Sequence, residues 1–184
     1  KWDRTARGRI ALERARLLDV AGDTAGAAEQ TWRVAGGLGE SATEARLQLA
    51  FWQLTRARDL VDVYSVRALL LPVGGDSQAS RTLAAVDELE RFVAIGQDEP
   101  LAWFAAAEVA RDGLQADRVA RGLFLAYADG APEGDWAAKA LLAALALSAG
   151  GGAHAWLRGR RGSSADRPSV LAPRCAPTTL AYCP

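Results

Sequence analysis

PLAWFAAAEVARDGLQADRVARGLFLAYADGAPEGDWAAKALLAALALS, residues 100–148, is the stretch on which the fold turns. Pro100 suits the first turn of a helix, where its missing N–H has no partner to lose. Trp103 and Trp136 stand 33 residues apart. At the same offset Ala105 meets Ala138, Ala107 meets Ala140, Val109 meets Leu142 and Ala110 meets Ala143. Small residues in equivalent places let two helices approach closely, and each Trp supplies bulk beside them. The spacing predicts helices over 100–111, 115–128 and 135–148.

The order Trp103, Ala107, Ala120, Phe124 and Pro132 resembles the tetratricopeptide repeat family. Each unit of about 34 residues there is one helical hairpin. Gly22-Asp23 followed by Ala27 is a second, partial match. The resemblance implies antiparallel hairpins stacked as a right-handed solenoid, and protein docking on the surfaces that stacking creates. It departs at Ala11, where a large residue is usual, and over 60–72, where the spacing drifts. The family's clamp for peptide carboxylates uses Lys, Arg and Asn; the chain has no Asn, so that mode of capture is not implied. The alternative is an irregular α-helical bundle without a true repeat.

Upstream, the same grammar of helix and stop recurs. Ile10, Leu12, Ala15, Leu17, Leu18 and Ala21 follow helical spacing, as do Ala27, Ala28, Thr31, Val34 and Ala35. Three Gly-Asp steps, at Gly22, Gly75 and Gly134, place a residue suited to a helix end beside one that caps the next helix. Ser41 and Glu44 fit a capping box for a helix through Leu47, Ala50, Phe51 and Leu54. Asp59 is expected to cap a helix reaching Leu70, and Asp76 or Ser77 a long helix ending at Gly96. Gly150, Gly151 and Gly152 are expected to stop a helix, leaving a short ninth over 153–160.

Composition agrees with this reading. Half of the 184 residues are hydrophobic and 24% are charged, so a sizeable core is available. About forty are Ala and only Ile10 and Ile95 are Ile, a balance favouring helix over strand. The expected fold is therefore all-α over 1–161, with an extended, Pro-rich tail over 162–184 carrying Pro168, Pro173, Pro177 and Pro184. There is no Met, even at position 1, so Lys1 is expected to follow a processing or fragment boundary.

Catalytic patterns are weak. His154 is the single histidine, without a partner acid or Cys at useful spacing, and reads as a loop or surface residue. Asp87, Glu88 and Glu90 read as a solvated face. Gly36-Gly37-Leu-Gly39 follows a helix and lacks the Lys-Ser/Thr of a phosphate loop. The reading assigns no cofactor, no metal and no catalytic residue.

Charge is the more useful signal. The formal net charge is zero, but it divides into +2 over 1–75, −6 over 76–149 and +4 over 150–184. The acidic middle interrupts any continuous basic track for nucleic acid. Arg and Trp together at the chain ends suit contact with an anionic membrane surface. Ala140 to Leu157 has no formally charged residue but is mostly Ala and Gly, so a buried hairpin helix is expected there rather than a span. Arg158, Arg160, Arg161, Arg174, Leu180 and Tyr182 are the candidate protein-binding residues. Cys175 and Cys183, with seven residues between them, are spaced for a disulfide or stand as two free thiols. Cysteines confined to one tail favour an exported or periplasmic protein over a cytoplasmic one.

The function expected from these features is a non-catalytic protein-binding scaffold or accessory subunit of a larger, membrane-associated complex, with other protein subunits as partners. The alternatives are a helical sensory or regulatory fragment of a longer protein, and an enzyme whose site the sequence hides.

Overall fold

A computed structural model describes residues 4–160, with side-chain surroundings over 6–148. Contacts divide the chain into two units, Lys1–Ala149 and Gly150–Pro184, and the first holds the packed core. The described residues form no strand, so the all-α expectation holds. The elements are α1 (Arg4–Val20), α2 (Thr24–Ala35), α3 (Glu40–Arg56), α4 (Leu60–Ser65), α5 (Arg67–Leu70), α6 (Ser77–Ile95), α7 (Pro100–Glu108), α8 (Asp117–Gly130) and α9 (Ala137–Arg160). A 3₁₀ turn, Leu71–Val73, follows α5, and a π-helical turn, Val109–Gly113, follows α7.

The first hairpin forms as its residues predict. Gly22 adopts φ 86°, the left-handed conformation that only glycine takes cheaply, and the Asp23 N–H donates back to Leu18 O at 2.9 Å. The Asp23 carboxylate then accepts from the Gly26 N–H at 2.9 Å and opens α2. α2 packs on both α1 and α3.

The two later Gly-Asp steps work differently. Gly75 has no positive φ, but Asp76 accepts from the N–H groups of Gln78 (2.8 Å) and Ala79 (3.1 Å) and caps α6. Asp76→Ala is expected to lower stability by about 1 kcal/mol, read from the urea midpoint, because two helix-terminal N–H donors lose their shared acceptor. Gly134-Asp135 caps nothing. It forms a turn, and α9 starts at Ala137.

The capping box is corrected as well. Gly39, at φ 90°, starts α3 at Glu40 and puts Ser41 inside the first turn. Ser41 is buried, and its Oγ finds no partner among the described residues. A Cβ on Gly8 would lie 2.8 Å from Ser41 Cβ, so α1 crosses α3 at this glycine. Glu44 instead pairs with Arg16 at 2.5 Å. Ser41→Ala is expected to raise stability by about 0.5–1 kcal/mol, since it removes an unpaired buried hydroxyl. A thermal melt that falls on this substitution would contradict the assignment.

The stretch after Asp59 does not run as one helix. Asp59 caps α4 by accepting from Asp62 N at 2.9 Å. Ser65 Oγ then donates to Asp62 O at 2.6 Å, offering a local bond that competes with the helix, and the chain breaks at Val66 before α5. At the far end, Gly150, Gly151 and Gly152 do not stop α9, which continues to Arg160. Glycine in a helix is unfavourable by about 1 kcal/mol but, unlike proline, keeps its N–H donor.

Candidate functional site

α3 and α6 diverge over α5, and the gap between them is an open groove of about 470 Å³. Its floor is apolar. Leu54, Leu70 and Leu114 are buried, Leu47 and Ala85 are half-buried, and Phe51 on the α3 rim is 41% exposed. The polar rim consists of Gln78, Arg81 and Thr82 from α6 and Gln115 from the turn beyond α7. Helical spacing explains the rim, because Gln78, Arg81, Thr82 and Ala85 fall at three- and four-residue steps along one face of α6.

Arg81 is the one charged side chain lining the groove. Its Nε donates to Ser77 O at 3.2 Å, and it makes no ion pair with any described residue. The other long cation of this region is occupied: Arg67 donates to Asp87 (2.8 Å) and Glu90 (2.5 Å) and lies over the Tyr64 ring. Those two hydrogen bonds push the Arg67 pKa up, so it stays charged. Burial, followed by Glu90, pushes the Tyr64 hydroxyl up.

The far wall is built from unusual backbone. The π-helical turn holds one more residue than an α turn, and Gln115 beyond it sits at φ 55°. The Ala116 N–H to Ala110 O bond (2.8 Å) closes the turn. Arg111 grips Asp112 with two bonds, 2.7 and 2.6 Å, and lies over the Phe124 ring. The Arg111 hydrogen bonds hold the Asp112 carboxyl below its usual range. The small stabilisation from this exposed pair is therefore present above the ordinary carboxylate pKa. It is lost as pH falls through the lowered folded value.

A second feature lies on α7 and α8. Phe104, Phe124 and Tyr127 meet edge to face, with Phe104–Phe124 and Phe104–Tyr127 centroids 5.2 and 5.6 Å apart. Ala106, Ala107, Ala110 and Ala120 are fully buried in the same core. Trp136 covers Phe104 at 5.5 Å and carries Lys139 Nζ 4.3 Å over its own ring. Trp103 packs elsewhere, against Gly96 at the end of α6, so the two tryptophans paired at the 33-residue offset do not occupy the equivalent places that their spacing predicts.

The residues singled out for binding in the sequence lie outside the described side chains. Arg158 and Arg160 belong to α9 beyond the described side chains, and Arg161, Arg174, Leu180 and Tyr182 lie outside the described residues, as do Cys175 and Cys183. His154 likewise falls outside the described side chains. Among the described residues no cluster of His, Cys, Asp and Glu is placed to hold a metal ion, and no helix is long and apolar enough to cross a membrane. Sequence reading noted Leu47, Phe51 and Leu54 as one helical face but had no signal that α3 and α6 separate above them. The comparisons with protein-family models, curated proteins and solved structures find no match to this chain.

Proposed function

We propose that this chain is a non-catalytic protein-binding scaffold that serves as an accessory subunit of a larger complex. The open groove between α3 and α6 is the observation that carries this reading. An apolar floor with a polar rim, several residues long and open to solvent, suits a protein segment. In this reading α1–α2, α3 with α4 and α5, and α7–α8 are successive hairpins of a tetratricopeptide-like solenoid. The joint burial of Ala107, Ala120 and Phe124 supports the α7–α8 unit. The 33-residue offset carries Pro100 onto Glu133, four residues ahead of the start of α9, so the pattern is broken there.

The test is chemical cross-linking in native extract followed by purification of this chain. A protein partner recovered in fixed ratio, cross-linked to the faces around α3 and α6, is the expected result. A monodisperse chain that carries no partner and turns over a small molecule would overturn the reading.

A further inference from the structure

We propose that the groove binds an extended acidic peptide segment, with one large apolar side chain against Leu47, Phe51 and Ala85 and a nearby carboxylate on Arg81. This rests on the protein-binding reading and names the partner chemistry for that same site.

Three features of the lining lead there. Leu54, Leu70 and Leu114 close the bottom of the groove, and the apolar surface that water still reaches belongs to Leu47, Phe51 and Ala85, which an apolar guest would cover. Phe51 projects from α3 at the edge of this floor, where an incoming aliphatic or aromatic group would cover it. The single charge is the Arg81 guanidinium, which has no ion-pair partner among the described residues and lies in a lining with no acid. A carboxylate matches its fork of donors in two places at once.

The amides decide for a peptide over a simple aliphatic acid. Gln78 on one wall and Gln115 on the other each present a carboxamide that both donates and accepts. A main chain passing between them offers the complementary N–H and C=O groups, which an aliphatic chain lacks. The left-handed Gln115 fixes the position of one of them at some backbone expense.

The probe is a random dodecapeptide phage library selected on the intact chain, followed by anisotropy titration of the enriched peptides. Expected are peptides pairing Leu, Ile or Phe with Asp or Glu one or two positions away. Their affinity should fall about tenfold in Arg81→Glu and recover when the peptide acid is changed to Lys. Thr82→Trp, which fills the groove from an α6 position, should also weaken binding, and Arg33→Glu on α2 should not. Circular dichroism confirms that each variant is folded. Three results would overturn the proposal: no enrichment of that pairing, affinity unchanged within twofold in Arg81→Glu, or dodecanoate bound in place of any peptide. If cross-linking recovers a protein partner insensitive to Arg81→Glu, the groove assignment falls and the scaffold reading stands. If neither peptide nor partner is found, the scaffold reading falls with it.

Discussion

Phe124→Ala is expected to remove about 3–5 kcal/mol of stability. Phe124 is 0% exposed and meets Phe104 edge to face at 5.2 Å, with the Arg111 guanidinium over its ring. Losing the ring removes the transfer energy of a full aromatic side chain and an aromatic pair worth about 0.5–1.5 kcal/mol beyond it. The hole cannot close easily, because Ala106, Ala107 and Ala120, fully buried in the same core, have no rotamers with which to fill it. Against a typical domain stability of about 5–15 kcal/mol, this is a large share. Urea unfolding should show a lower midpoint at an unchanged slope. A loss below about 1 kcal/mol would mean that α7 and α8 do not meet at this ring. Phe51→Ala is the contrast: with 41% of Phe51 exposed on the groove rim, a much smaller change is expected.

Gly96→Ala comes next, with an expected loss of about 1–3 kcal/mol. Backbone considerations alone give the opposite sign. Gly96 sits at φ −63°, which alanine adopts freely, so the substitution would stabilise by restricting the unfolded chain. Packing outweighs this, because a Cβ there would lie 2.7–2.9 Å from three atoms of the Trp103 indole, which would have to move. The decisive measurement is a double-mutant cycle with Trp103→Leu. The cost of Gly96→Ala should largely vanish once the indole is gone, giving a coupling of about 1 kcal/mol or more. Equal costs in both backgrounds would place the strain elsewhere.

The helices were legible in the sequence because their signals are local. The Gly22-Asp23 turn and the Asp59 and Asp76 caps depend on neighbours within three or four residues, and the structure keeps all three. Ser41 shows where local reading stops. Its capping signature is sound in isolation, but Gly39 starts the helix earlier, and α1 at Gly8 closes over the hydroxyl. The π-helical turn after α7 was invisible for a similar reason. Val-Ala-Arg-Asp-Gly is compatible with an ordinary helix end, and its extra residue is held by Arg111 on Asp112 and Phe124. The groove needed one thing more, the separation of two helices distant in sequence. Charge clusters and a Pro-rich tail are readable one residue at a time, which is why the candidates drawn from the sequence fall at 158–182.

The broken stretch between α4 and α6 has a mechanical meaning. α3 and α6 are long, stiff rods, and between them the chain runs through α4, a four-residue helix, a 3₁₀ turn and then Gly74 and Gly75. A force that opens or narrows the space between the rods meets little resistance in the last of these segments, where a Cβ at Gly75 would find no atom within 4 Å. Val66, Leu69 and Leu70 are buried and tie the first part of this connection to the core, so compliance is left to the short stretch 71–75. Stiffening Gly74 and Gly75 by substitution is therefore expected to change how large a side chain the gap admits without altering any atom that lines it.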